Sequence, residues 1–225
     1  MRAAHIVPPA LLDRYGTASE YHLILAHLVL QNDYYREFYR ERSEAGDFII
    51  LDNGAFEFQT SISAQELFAA ARFVQPSVIV LPDVLRDAEA TYEATKDALR
   101  FWNGLRPELH FQNEPSFMVV PQGKDLEEWF ACWKKLRFVG PYINIIGLFE
   151  ELADWHDRGR VGVIEEAHRR HMCRQESTGS KQFHLLGFQE NILEELIAAR
   201  VWSCIIGTDS GKAFPMGTMT SSSGT

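Results

Sequence analysis

Three aspartates stand where apolar runs stop. Asp52 follows Phe48-Ile49-Ile50-Leu51, Asp83 follows Val78-Ile79-Val80-Leu81-Pro82, and Asp209 follows Cys204-Ile205-Ile206-Gly207-Thr208. Gln122 closes a fourth run, Phe117-Met118-Val119-Val120-Pro121, and Gly147 and Gly187 close two more. Carboxylates gathered at one mouth repel each other, which shifts their proton affinities and suits them to nucleophilic and acid–base work. A single aspartate after a strand also serves to cap a helix or turn the chain. Three of them, each within two residues of glycine or proline, fit a site better than three separate turns.

The elements that must carry these residues alternate. Apolar, β-branched runs of four residues read as buried parallel strands. Between them lie longer stretches at helical spacing: 64–73, opened by the Ser63/Glu66 capping box, then 87–102, 125–138, 160–174 and 192–200. An earlier helix covers 32–42, and Tyr21 to Val29 reads as a strand, with a short helix as the alternative. The first twenty residues, with Pro8-Pro9 and Gly16-Thr17-Ala18-Ser19, read as irregular. Strands alternating with helices imply parallel βαβ units. Seven strands are evident, and an eighth must come from the N-terminal segment or be missing. The expected fold is a single compact (β/α)8 barrel over residues 1–217, with an open doubly wound sheet as the alternative and a disordered Ser/Thr/Gly tail at 218–225. In such a barrel the carboxyl ends of the strands build the active site.

Composition narrows the setting. The 225 residues are 46% hydrophobic and 24% charged, an ordinary globular balance. Three cysteines, Cys132, Cys173 and Cys204, are widely spaced and odd in number, which argues for a reducing compartment, the cytoplasm. No apolar run reaches the length of a membrane span, and the first residues form no signal peptide. A net charge of −9 excludes a broadly basic nucleic-acid binder, but not a local cationic rim. Arg86, Lys124 and Lys212, each a few residues past a strand end, are candidates for that rim; solvated loop charges are the plainer account of each.

Leu51-Asp52-Asn53-Gly54-Ala55-Phe56, Pro82-Asp83, Val120-Pro121-Gln122-Gly123, Ile146-Gly147-Leu148, His184-Leu185-Leu186-Gly187 and Thr208-Asp209-Ser210 occur in the order of the tRNA-guanine transglycosylase motifs. Over residues 21–214 the chain resembles that superfamily, and most closely its small, phage-type branch acting on DNA. The resemblance implies exchange of a guanine for a 7-deazaguanine of the preQ0 type, with the sugar–phosphate backbone left intact. It implies Asp209 as the nucleophile at the sugar C1′ and Asp52 as the general acid/base. Asp83 and Gln122 would read the base edge, Gly147 and Leu148 would add backbone contacts, and Phe56 and Leu186, with Gly187, would enclose the ring. One carboxylate as nucleophile and one as proton shuttle is also what double displacement at a sugar carbon needs.

The tRNA enzymes of that superfamily carry a C-x-C-x-x-C cluster and a histidine for structural zinc. That spacing is missing here, which favours DNA over tRNA as substrate and implies no metal or other cofactor beyond the free base as co-substrate. The family's setting is the host cytoplasm, and the resemblance leaves room for a partner protein. His168, His171, Cys173 and His184 are near enough in sequence to suggest a metal, but His168 and His171 lie among arginines, where a solvated helix face is expected. The glycine spacing of Gly207 to Lys212 is too short for a phosphate loop. Two other functions compete: a barrel hydrolase that uses the same carboxylates with water as acceptor, and an inactive nucleic-acid-binding module, against which the presence of both Asp52 and Asp209 counts.

Overall fold

The computed structural model describes residues 2–108, 111–140, 142–172, 174–175, 179–187 and 192–210. Its strands are β1 (Arg2–His5), β2 (Tyr21–Leu25), β3 (Phe48–Asp52), β4 (Val78–Val80), β5 (Ser116–Val119), β6 (Ile143–Leu148), β7 (Arg174–Gln175), β8 (Gly179–Ser180), β9 (Gln182–Leu185) and β10 (Ile205–Ser210). The helices are α1 (Leu12–Tyr15), α2 (Ala26–Gln31), α3 (Asp33–Glu44), α4 (Ala55–Phe58), α5 (Ala64–Val74), α6 (Ala88–Leu105), α7 (Leu126–Leu136), α8 (Gly159–Arg169) and α9 (Ile192–Ala199). Eight strands form one parallel sheet in the order β1-β10-β9-β6-β5-β4-β3-β2, while β7 and β8 make a separate antiparallel pair. The two end strands, β1 and β2, come to lie beside each other, so the sheet is a nearly closed (β/α)8 barrel rather than an open doubly wound sheet.

Side-chain alternation sorts the apolar residues into two layers. Tyr21, Leu23, Leu25, Ile50, Val80 and Met118 fill the barrel, whereas Ile24, Ile49, Leu51, Ile79 and Phe117 face the helices. The outer layer is aromatic where the strands meet α5–α7. Trp102 lies edge-on to Phe117 at 5.2 Å, and Trp133 edge-on to Phe183 at 5.7 Å, the preferred geometry for ring quadrupoles. Helix α6 buries Thr91, Thr95, Ala98, Leu99 and Trp102, one stripe at 3.6-residue spacing.

Local signals place the helix starts. Ser63 and Glu66 form the expected capping box on α5, and Asp87 and Asp125 accept from Ala90 and Glu128 amides to cap α6 and α7. Two readings of the N-terminal third are corrected. The first residues are not all irregular: Arg2–His5 is the eighth strand, with Ala4 in register with Asp209. The run from Tyr21 is a strand only to Leu25, after which the chain turns at once into α2. The last strand is longer than its apolar core suggested and carries Asp209 within it. The 218–225 tail lies outside the described residues. Among those described, no helix is long and apolar enough to cross a membrane.

Candidate active site

The turn after β3 is built by three side chains. Asp52 is in register with Leu25, which points into the barrel, so its carboxyl faces the mouth. Gly54 takes a φ of +74°, a left-handed conformation that glycine adopts without strain, and its N–H donates to Asp52 Oδ2 at 3.0 Å. Burial is the main influence on Asp52 and holds its carboxyl well above the usual carboxylate range. The nearby charges of Glu57, Asp83 and Asp209 push the same way, against the opposing Gly54 bond. Burial and like charge therefore both favour the protonated form of Asp52. The local turn bond satisfies the plainer expectation for an aspartate at a strand end as well, and the two roles coexist.

Asn53, read from sequence only as part of a flexible pair, is buried and fully engaged. Its Nδ2 donates to Leu81 O at 2.8 Å and to Asp83 Oδ1 at 2.9 Å, and its Oδ1 accepts from Ala55 N at 2.8 Å. Asp83 receives a second donor, Gln122 Nε2, at 2.7 Å, and Gln122 Oε1 accepts from Arg86 N at 3.1 Å. Ser61 braces the same turn, with its hydroxyl donating to Asp83 O at 2.5 Å and accepting from Asp83 N at 3.0 Å. Burial pushes Asp83 up to about 6, against the pull of Asn53 and Gln122. Near neutral pH it is mostly an ionised acceptor. Each of its oxygens has a second lone pair, and the Gln122 amide has a second N–H.

Asp209 is held at both oxygens. His184 Nε2 lies 2.9 Å from Oδ1, and Gly187 N–H donates to Oδ2 at a longer 3.3 Å. His184 is wholly buried, and its Nδ1 lies 2.8 Å from the hydroxyl of Tyr21. Gly207 makes room for that hydroxyl: a Cβ there would come within 2.4 Å of it. The Gly187 loop is fixed from behind by Arg160, a buried arginine that sequence reasoning did not single out. Arg160 donates to Leu148 O (3.0 Å), Leu186 O (2.6 Å) and Gly187 O (3.1 Å), and forks onto Glu195 at 2.8 and 2.5 Å. All five guanidinium N–H groups are used.

The remaining expected residues divide. Phe56 is 75% exposed on α4, beside the acid-bearing turn, and Leu186 is half-buried against the barrel interior. Gly147 sits between Leu186, Val120 and Met118 so closely that a Cβ would meet them at 2.7, 2.9 and 3.2 Å. Leu148 points into the outer layer, and its carbonyl accepts from Leu186 N and Arg160, so the fold itself uses the backbone contact expected of it. Gly187 adopts φ +74°. Arg86 pairs with Glu151 at 3.2 Å and Lys124 is exposed, while Lys212 lies outside the described residues.

Two further groups at the mouth went unread in the sequence. Glu57 is raised by burial and by Asp209, with one of its own backbone bonds opposing. The Nδ1 of His27 is buried near Gly54 without a hydrogen-bond partner, and its ring packs edge-on against Phe58 at 4.6 Å. The histidines once grouped for a metal are separated in role: His184 bonds Tyr21 and Asp209, whereas His168 stacks on Trp202 at 5.1 Å. Among the described residues no group of three or more His, Cys, Asp or Glu is placed to hold a metal ion. Two surface concavities, of about 340 and 620 Å3, lie away from this mouth, beside α7 and around Arg2 and Tyr21.

The arrangement gathers a carboxyl whose protonated form burial favours, an aspartate held by a partner at each oxygen, and a buried carboxylate–amide pair. No protein-family model matches the chain, and no curated protein matches it either.

Proposed function

We propose that this barrel exchanges guanine in DNA for a free 7-deazaguanine base through a glycosyl–aspartyl intermediate. Asp209 attacks the sugar C1′; the C1′–O bond forms as the bond to the base nitrogen breaks, and the base leaves with that electron pair. Asp52 supplies the proton the departing base needs. The incoming base then gives its ring N–H proton to Asp52, its nitrogen attacks C1′, and the carboxylate of Asp209 is released. Asp83 accepts from the N–H groups of the aminopyrimidinone edge, and Gln122 donates to its carbonyl oxygen. Phe56 and Leu186 close on the flat faces of the ring.

The observation that carries this assignment is the contrast between the two acids of one mouth. Burial and like charges raise the Asp52 carboxyl well above the usual carboxylate range, which favours its protonated form, while Asp209 meets a donor at each oxygen. A double displacement asks for that division of labour. The missing zinc-cluster spacing supports DNA ahead of tRNA as the polymer.

The test is incubation with duplex DNA or tRNA and a 7-deazaguanine base such as preQ0, followed by mass spectrometry of the digested nucleosides. Incorporation into DNA is expected, and Asp209→Asn, nearly isosteric but a poor nucleophile, abolishes it. Release of free guanine without incorporation would instead identify a hydrolase, and full activity in Asp209→Asn would remove Asp209 from the chemistry.

A further inference from the structure

Asp209 is the end of a buried chain that starts on the far side of the sheet order. Tyr21 on β2 meets His184 on β9 at 2.8 Å, and His184 meets Asp209 on β10 at 2.9 Å. All three side chains are buried, with relative exposures of 2%, 0% and 4%. A buried hydroxyl or imidazole without a partner costs about 1–3 kcal/mol, so three such groups in line must satisfy each other. Only one arrangement of protons does so. If His184 were doubly protonated, Nδ1–H would point at the tyrosine oxygen and leave the Tyr21 hydroxyl proton with no acceptor in the chain. If the proton sat on Nδ1 alone, a lone pair on Nε2 would face Asp209 Oδ1. The neutral imidazole with its proton on Nε2 uses every group: Tyr21 O–H donates to Nδ1, and Nε2–H donates to Oδ1. The burial that drives Tyr21 far above the ordinary phenol range keeps its proton in place.

We infer that Tyr21 and His184 form a positioning relay that fixes the nucleophilic carboxylate of Asp209 and leaves its Oδ2 as the attacking oxygen. The inference rests on Asp209 being the nucleophile. Oδ1 is anchored by the short bond to His184, while Oδ2 carries only the longer bond from Gly187 and is the less encumbered oxygen. Neither relay residue touches the substrate. Their effect falls on the step in which Asp209 loses its charge to C1′ and on the step that restores it. The N–H of His184 stabilises the carboxylate as a leaving group when the incoming base displaces it. Loss of the partner that orients a metal ligand costs about ten- to a hundredfold in affinity or activity, and a loss of that order is expected for a partner that orients a nucleophile. Gly207 is part of the device, because any side chain there displaces the Tyr21 hydroxyl from His184.

The experiment has two arms on the full-length protein. In the first, 15N-histidine labelling and long-range 15N–1H correlation at pH 7 read the His184 tautomer, with the signal assigned by its loss in His184→Gln. The parent is expected to show a protonated Nε2 and a bare Nδ1, and Tyr21→Phe to lose that signature; an Nδ1–H tautomer or an imidazolium in the parent overturns the relay. In the second arm, base-exchange kinetics compare the parent with Tyr21→Phe, His184→Leu and His184→Gln. Tyr21→Phe removes one oxygen and is expected to lower kcat about tenfold while the KM for the free base and its dissociation constant stay put. His184→Leu should fall further, and His184→Gln, which keeps a donor toward Asp209, should recover part of the loss. If His184→Leu does not fold, Tyr21→Phe decides alone. Variants of an active parent that match it in kcat overturn the relay. If the parent exchanges no base at all, the transglycosylase assignment fails, and the tautomer measurement still decides whether the proton chain exists.

Discussion

Gln122 Nε2 donates to Asp83 Oδ2 at 2.7 Å, tying the turn after β5 to the turn after β4 with both side chains almost wholly buried. With Asn53 on the other oxygen, Asp83 has a donor for each lobe of its carboxylate, yet burial still pushes its pKa up to about 6. Desolvation outweighs two hydrogen bonds. The folded protein therefore keeps the Asp83 proton up to about pH 6, where the unfolded chain would release it near pH 4, and at neutral pH carries a buried charge that a ligand can meet.

That imbalance has a measurable sign. A carboxyl whose pKa is higher in the folded state than in the unfolded chain contributes stability at low pH and loses it as pH rises through the folded value. Asp83→Asn carries no charge at any pH, so its stability relative to the parent should improve between pH 4 and pH 7, by up to about 3 kcal/mol at 1.36 kcal/mol per pKa unit. Urea unfolding of both proteins at the two pH values measures the change. A difference between them that is the same at pH 4 and pH 7 would show that Asp83 is not held up by burial.

The barrel was legible because its strands are short apolar runs that end in polar or glycine residues. What escaped was set by tertiary contact. Arg2-Ala3-Ala4-His5 has neither β-branched nor aromatic residues, and it becomes a strand only because β10 offers it a ladder. The run from Tyr21 is buried on both faces, so no periodicity separates the strand from α2. At the mouth, Asp52, Asp83, Gln122 and Asp209 could be marked by their places at strand ends. Arg160 could not, since an arginine near the start of α8 reads as a solvated charge until Glu195 and three carbonyls converge on it. A signal for His184 did exist: Phe183 and Leu185 flank it at period two, which turns the imidazole inward.

Glu57 offers a test of the acid role given to Asp52. Its charge is the largest influence on Asp52 after burial and raises the pKa. Glu57→Gln removes that charge, so Asp52 should ionise at a lower pH. Exchange needs Asp52 protonated as the first base leaves, and the alkaline limb of the kcat profile should therefore move to lower pH in Glu57→Gln. The pH dependence of exchange in parent and variant measures it. A limb that stays in place, or moves to higher pH, would separate Asp52 from the proton transfer.

Arg160 joins the ends of β6 and β9 to α9, and its removal strands the partly buried Glu195 and three backbone carbonyls at once. Breaking one side of a buried pair costs about 3–5 kcal/mol, because the remaining charge is left without compensation. Arg160→Met should destabilise by that amount in denaturant unfolding. Adding Glu195→Leu should recover part of it by removing the stranded charge. A single variant within 1 kcal/mol of the parent would mean that the clamp adds little to the fold.

How an acidic barrel holds a polyanion comes down to a few cations. The net charge of −9 repels DNA at long range, and at the mouth Arg86 is shared with Glu151 across 3.2 Å, both side chains more than half exposed. Exposed pairs of this kind contribute about 0–1 kcal/mol, so a phosphate can displace the carboxylate. Each phosphate neutralised adds about −0.9 to the slope of log affinity against log salt, and a rim of a few cations gives a slope of about −2 to −4. Glu151→Gln frees Arg86 and should tighten DNA binding. Arg86→Ala should weaken it and flatten the slope by about one unit, with affinity for the free base unchanged. Fluorescence anisotropy with labelled duplex DNA across a salt series measures both terms. If Arg86→Ala and Glu151→Gln bind as the parent does at every salt concentration, phosphate contacts lie elsewhere on the barrel.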